Sequence, residues 1–189
     1  GGDASALNCI IFDNTAHNHA NYDETGYLIY SCTYPLLTGA GNIAAEPLFS
    51  DPNRGNFRLA MNSPCINAGS NALAVGETDL DGNERIIGGN VDIGAYEALP
   101  VAMVLNSSNL VWTSGGDACW YGQPFVTADG DEAMQSGLIG DAQSVWIQAV
   151  TEGKGTLRFA WMVSSESRDY LRFYADDQPA SAISGDSGW

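Results

Sequence analysis

Three oxygen-bearing side chains at alternate positions of the segment DLDGN are the best candidates for a metal site. Asp79, Asp81 and Asn83 would project to one side of an extended strand, and carboxylate and amide oxygens are the ligands that calcium prefers. The segment departs from an EF-hand loop, because Gly82 comes two positions early and no bidentate acid follows at the twelfth position. The alternative is structural: Asp and Asn bond their own backbone in turns, so residues 78–97 would close the preceding fold. Both interpretations stay open, and calcium is the one cofactor indicated.

A second candidate site is the aromatic pair in the glycine-flanked segment GGDACWYGQ. Exposed rings of Trp120 and Tyr121 would stack on the faces of sugars. The alternative is that Trp120 is buried under its loop as a plug at the edge of a sheet, since large aromatic side chains usually bury their area.

The two histidines of the chain, His17 and His19, form an H-x-H pair close to Asp13. Such a pair on a strand ligates zinc, and a histidine beside a carboxylate acts as a base. Because no third ligand follows at a recognisable spacing, we expect two solvated loop histidines.

Charge and composition exclude several classes of partner. The chain of 189 residues carries 23 acidic against seven Lys and Arg side chains, a formal net charge of -16. Such a field repels nucleic acids and anionic membrane surfaces.

No stretch approaches the roughly 18 consecutive apolar residues of a membrane span. The amino-terminal segment also lacks the basic start and apolar block of a secretion signal, so we expect an internal piece of a longer protein.

Motifs for catalysis are missing from the sequence. It contains no G-x-S-x-G nucleophile elbow, no phosphate-binding loop and no dinucleotide fingerprint. We therefore expect these residues to be non-catalytic.

The elements that would position these candidates are strands. Helical periodicity is interrupted throughout by Gly, Pro and Asn, which predicts an all-β protein. Short strands with long polar loops are predicted before residue 98. Clean alternation in NLVWTS, SVWIQAV, GTLRFAWMVSS and DYLRFYAD predicts an antiparallel sandwich after residue 108, with core tryptophans at 112, 146 and 161.

The spacing of two cysteines suggests a parallel solenoid. Cys9 and Cys32 are 23 positions apart, close to one turn of such a fold. Stacked parallel strands point their Cβ atoms the same way, so a ladder of free thiols is favoured over a disulfide. Val91, Ile93 and Ala95 alternate with Asp92 and Gly94, which predicts a final strand covering the last coil.

The segments EPLF, FRL, SPCINAG, DLDGN and VDIGAYE together resemble the C-terminal end of bacterial right-handed parallel β-helix proteins. The resemblance is to the choice-of-anchor type, related to polymorphic outer-membrane-protein-like surface proteins, and it covers most of residues 1–97. Residues 109–189 are similar to a jelly-roll-like β-sandwich module of secreted bacterial proteins and are expected to form only part of it. The resemblance implies the last coils and cap of a β-helix in residues 1–97, a linker in 98–108 and a partial sandwich in 109–189.

The function implied by this resemblance is structural and adhesive. We expect a non-catalytic protein of the cell surface or exterior, whose sandwich binds a polysaccharide or cell-surface glycan. The alternative is an accessory C-terminal part of an extracellular polysaccharide lyase or glycoside hydrolase with its active site upstream of Gly1. The sequence lacks the G-H-G and R-I-K signatures of polygalacturonases.

Overall fold

The computed structural model describes residues 5–14 and 27–189; His17 and His19 lie outside the described residues. These residues form mostly strands with very little helix, which confirms the all-β prediction. The strands are β1 (Ser5–Leu7), β2 (Ile10–Ile11), β3 (Tyr27–Ile29), β4 (Cys32–Thr33), β5 (Phe49–Asp51), β6 (Asn56–Leu59), β7 (Trp112–Gly116), β8 (Trp120–Gln123), β9 (Ala133–Ser136), β10 (Val145–Ala149), β11 (Val163–Ser164), β12 (Tyr170–Ala175), β13 (Gln178–Ser184) and β14 (Asp186–Ser187). The helices are two 3₁₀ turns, Pro52–Arg54 and Asn71–Leu73, and one α-helical turn, α1 (Val101–Val104).

The first strands pair in parallel at a constant offset. β1 pairs with β3, Ser5 opposite Tyr27, and β2 pairs with β4, Ile10 opposite Cys32. A further parallel bridge joins Cys32 to Ile43. Three successive passes of the chain therefore run in the same direction side by side.

The predicted stacking of the Cys9 and Cys32 thiols is wrong, because the register of the strands differs by one position. The offset is 22 residues rather than 23, so Cys9 lies beside Ser31 and its amide donates to the Ser31 hydroxyl at 3.3 Å. Because side chains alternate along a strand, a one-residue shift sends the two thiols to different environments. Cys32 is fully buried and Cys9 is half-buried, and all four cysteines are free thiols.

The core of the first half joins the parallel strands to the segment that follows β6. Its fully or almost fully buried members are Cys32, Leu59, Cys65 and Ile93. Half-buried apolar side chains surround them, among them Ile10 and Phe49.

The strand predicted for residues 91–95 does not form. Val91, Asp92 and Ile93 are all buried in succession, whereas Ala95 is exposed. A strand would place successive side chains on opposite faces. Asp92 instead turns inward, where its carboxylate accepts hydrogen bonds from backbone amides.

The second half consists of four separate antiparallel pairs, β7 with β10, β8 with β9, β11 with β14 and β12 with β13. The hairpin of β12 and β13 turns through Asp176 and Asp177, both at positive φ (50° and 60°), as a type I′ turn requires. The strands predicted in DYLRFYAD and SVWIQAV are confirmed. The long strand predicted in GTLRFAWMVSS is reduced to β11, because no described strand pairs with residues 157–162.

The tryptophans predicted as core are less buried than expected. Trp146 is 44% exposed, and Trp112 and Trp161 are half-buried. Trp146 lies across Gly115, its partner on β7: a Cβ on that glycine would stand 2.6 Å from Cζ2 of the indole. The ring therefore covers a glycine of the neighbouring strand. From Leu138 to Trp189 no residue is buried.

Residues 98–108, predicted as a linker, contain α1 and pack against β8. Leu99, Val101 and Val104 are buried, and Leu99 and Val104 lie against Gly122. In the same region the amide of Met61 donates to the carbonyl of Trp120 at 3.1 Å. Among the described residues, no helix is long and apolar enough to cross a membrane.

Candidate functional site

The carboxylate of Asp79 organises the turn for which the sequence left both a structural closure and a cation site open. Its Oδ1 accepts the amides of Asp81 and Asn83, both at 2.9 Å. Its Oδ2 accepts the amide of Glu97 at 2.9 Å and the side-chain amide of Asn83 at 3.3 Å. Gly82 at the tip of the turn has a φ of 89°, a conformation that favours glycine. Asp79 is therefore the backbone acceptor of a closed turn.

Asp81 faces a cation supplied by the protein itself. Its two oxygens accept from Nε of Arg58, at 2.7 Å, and from a terminal nitrogen of the same guanidinium. The Arg58 guanidinium also lies over two rings, 4.7 Å from the centroid of Tyr96 and 5.1 Å from that of Phe125. Hydrogen bonding to Asp81 raises the pKa of Arg58, so the guanidinium stays charged.

A second ion pair lies deeper. Glu97 is 4% exposed and pairs with the Arg85 guanidinium, which also donates to the carbonyl of Gly94 at 2.6 Å. The Glu97 carboxylate accepts the amide of Asp92 at 3.1 and 3.2 Å. Burial, and then the charge of Asp92, raise the pKa of Glu97 to about 7.

Asp92 completes this group of carboxylates. It is 1% exposed, and its oxygens accept the amides of Asn67 and Ala98, both at 2.7 Å. Burial raises the pKa of Asp92 despite these bonds. No strand lies within residues 60–98. Carboxylates in this segment therefore accept hydrogen bonds from backbone amides that a sheet would otherwise pair.

The space between these groups is small. Arg58, Asp81, Glu97 and Tyr121 line a cavity of about 10 Å³. That volume holds about one water molecule, far below the roughly 300 Å³ of a small-molecule pocket. No group of three or more His, Cys, Asp or Glu side chains within the described ranges is arranged to hold a metal ion. Asp79, Asp81 and Asn83 are brought together, but the carboxylate oxygens of Asp79 accept amides and those of Asp81 accept from Arg58.

The structure separates the two aromatic candidates. Tyr121 is 8% exposed, and burial raises its pKa. Trp120 is half-buried, and its indole nitrogen is buried without a hydrogen-bond partner. Strand β8 lies against the first half and against α1, and it points Tyr121 inward. The expectation of an exposed Tyr121 ring was therefore wrong.

An exposed aromatic surface lies instead on β12. Tyr170 and Tyr174 are 49% and 52% exposed, and Arg172 stands between them with its guanidinium 4.6 Å from the Tyr170 ring centroid. The partner strand β13 places Ser184 and Ala182 opposite Tyr170 and Arg172. Small neighbours leave the outward side of these rings uncovered. We call Tyr170, Arg172 and Tyr174 the β12 face.

Local charge distinguishes this surface from the rest of the chain. Residues 154–172 contain four of the seven cations, Lys154, Arg158, Arg168 and Arg172, against two acids, Glu166 and Asp169. Asp176 and Asp177 follow directly after β12, so residues 154–177 carry four cations and four acids and are neutral within a protein of charge -16.

Sequence reasoning missed the β12 face and the buried carboxylates. The alternation of DYLRFYAD gave the strand, and its outward pattern Tyr-x-Arg-x-Tyr was the signal for the face. No local signal marks Asp92 and Glu97 as buried, because acids are rarely buried without partners and Asp92 bonds to the amide of Asn67, 25 positions away.

Comparison with protein-family models, with curated proteins and with solved structures finds no match to this chain.

Proposed function

We propose that this chain is a non-catalytic structural and binding protein of the cell exterior. Its first half is the end of a right-handed parallel β-helix. Parallel pairing of successive passes supports this: β1 with β3 and β2 with β4 share a 22-residue offset, and Cys32 pairs in parallel with Ile43 after a shorter pass of 11 residues. Residues 60–98 close the last coil, and residues 109–189 belong to a jelly-roll-like sandwich.

The hydrogen bonds and the ion pair of the buried acids support the structural part of the proposal. Asp79, Asp92 and Glu97 accept backbone amides, and Asp81 is held by Arg58. Glycoside hydrolysis needs two carboxyl groups facing an open groove across about 5–10 Å. Carboxylates engaged by amides and arginines around a cavity of about 10 Å³ serve closure instead.

The β12 face carries the binding part of the proposal, and its ligand is an acidic polysaccharide. Tyrosine rings stack on the apolar faces of sugars, and Tyr170 and Tyr174, four positions apart, are separated by roughly 14 Å along a strand. The guanidinium of Arg172 between them matches a uronate carboxylate in shape and charge. Residues 154–177 are neutral, with four cations against four acids, so an anionic chain is repelled less here than by the rest of the protein.

Calorimetric titration with polygalacturonate, and with its fully methyl-esterified form as the neutral counterpart, tests this function. We expect the acid form to bind at least about tenfold more tightly, and Arg172→Gln to remove that preference. Tyr170→Ala and Tyr174→Ala weaken both forms, whereas Tyr27→Ala, which removes an exposed ring from the first half, changes neither.

Unchanged binding by the Tyr170 and Tyr174 variants would overturn the assignment to the β12 face. Equal affinity for the acid and esterified chains would overturn the role of Arg172. A Trp120→Phe variant that alone loses binding would return the site to β8.

A further inference from the structure

Two of the four cysteines meet in the core of the first half. Cys32 and Cys65 are both 0% exposed and belong to one cluster with Leu59 and Ile93. Their thiols lie in side-chain contact with each other, although 33 positions separate them in the sequence. Neither Cys9 nor Cys119 belongs to this cluster.

Backbone contacts hold both residues in place. The amide of Cys32 donates to the carbonyl of Cys9 at 2.9 Å, and the carbonyl of Cys65 accepts the amide of Ile93 at 2.9 Å. The amide of Cys65 donates to the hydroxyl of Ser63, which in turn donates to the carbonyl of Pro47 at 2.5 Å. Backbone contacts of both residues therefore hold the two thiols next to each other in the folded protein.

We infer that Cys32 and Cys65 are a cross-linking site, joined by a disulfide bond when the protein folds in an oxidising compartment. The reaction is thiol–disulfide exchange with a small disulfide or the active-site disulfide of an oxidoreductase as oxidant. One cysteine thiolate attacks a sulfur of the oxidant and releases a thiolate. The second cysteine then attacks the mixed disulfide, so that two electrons and two protons pass to the oxidant, which leaves as two thiols.

The order of events follows from burial. Neither sulfur is accessible in the folded core, so the exchange takes place before residues 59–93 close over the strands. In the closed core, contact with Cys65 lowers the pKa of Cys32, whereas contact with Cys32 and burial raise that of Cys65. The cross-link would be made once and then shielded from reductants. The inference needs the proposed extracellular location only as the source of oxidant.

Refolding the denatured protein with oxidised and reduced glutathione, followed by alkylation and intact mass measurement, tests the inference. We expect two alkylated thiols instead of four and a mass about 2 Da lower before alkylation. Trypsin leaves Cys9 and Cys32 in the same peptide, residues 1–54, and Cys65 in residues 59–85. Matched variants therefore assign the link: it persists in Cys9→Ser and Cys119→Ser and is lost in Cys32→Ser.

The refolded wild type should unfold roughly 5–10 °C above the same protein refolded in dithiothreitol. Four reactive thiols in the oxidised sample, or a link that survives Cys32→Ser, overturns the inference. Because the mass measurement uses the wild type, a variant that fails to fold does not affect it. Binding of polysaccharide is a separate readout, so failure of the proposed function and failure of the cross-link are distinguishable.

Discussion

Arg58 holds Asp81 through two guanidinium nitrogens, with Nε 2.7 Å from Oδ2, although 23 positions separate the residues. The side chain of Asp81 is 6% exposed and that of Arg58 is 19% exposed. The same guanidinium covers the rings of Tyr96 and Phe125. One arginine thus ties the acidic turn at 79–83 to β6 and to the loop that follows β8.

Removal of this arginine should destabilise the protein strongly. Arg58→Ala leaves the Asp81 carboxylate buried and uncompensated, and we expect the free energy of unfolding to fall by about 3 kcal/mol. Urea denaturation measures the change. Arg54→Ala is the matched control, because the Arg54 side chain is 71% exposed and stands 3.9 Å from Asp51, and we expect no measurable effect.

A second variant separates charge from packing. Arg58→Met combined with Asp81→Asn removes both charges and keeps an apolar stem over Tyr96. The double variant should recover part of the stability that Arg58→Ala loses. A double variant as unstable as Arg58→Ala would contradict the assignment of the loss to an unpaired carboxylate.

Glu97 should make stability depend on pH between about 4.5 and 7. Burial raises its folded pKa from the ordinary 4.5 to about 7, so in this window the folded state keeps a proton that the unfolded state has released. The contribution to stability is full below pH 4.5 and is lost as the pH rises through 7. The two values correspond to roughly 3 kcal/mol.

Glu97→Gln is expected to flatten this dependence, measured as unfolding free energy from urea denaturation at pH 5 to 8. Glu77→Gln makes the same change of net charge at an exposed position and should keep the wild-type slope. If the unfolding free energy of the wild type and of Glu97→Gln has the same slope against pH, another group takes up the proton.

Calcium should leave the acidic turn unaffected. The oxygens of Asp79 already accept amides, and a calcium ion at Asp81 would have to displace Arg58. We expect the midpoint of thermal unfolding to change by less than about 1 °C between calcium and EDTA, and Asp79→Ala to destabilise equally in both. A rise with calcium that Asp79→Ala abolishes would restore the cation site.

Hydrogen exchange should divide the chain into a protected and an open part. The amides of Thr33 and Ile93 donate to carbonyls at 2.9 Å and belong to buried residues. The hairpin of β12 and β13 contains no buried residue, and an isolated two-stranded hairpin is marginally stable in water. Mass spectrometry should find faster exchange in residues 170–184 than in the peptide around Ile93. Equal protection would show that the hairpin is covered in solution.

The sequence allowed correct prediction of elements whose signal is local. Strand β12 follows from alternation, since Leu171 and Phe173 are half-buried while Tyr170, Arg172 and Tyr174 face out. The turn at Asp176 and Asp177 follows from two residues that accept positive φ.

Contacts between residues that are distant in the sequence could not be predicted from it. The parallel register was wrong by one residue because the length of the intervening loop fixes which residues pair. The strand predicted at Val91 failed because the carboxylate of Asp92 bonds to the amide of Asn67, 25 positions away. Pairing of Arg58 with Asp81, and meeting of Cys32 with Cys65, depend likewise on how distant segments fold together.

The hydrogen bond from the Met61 amide to the Trp120 carbonyl has a mechanical consequence. It fixes β8 to the first half, while Leu99 and Val104 against Gly122 fix β8 to residues 98–108. A pulling force on the C-terminal half therefore loads this contact before residues 98–108 carry the tension alone. The joint would therefore resist rotation of β8 against the first half.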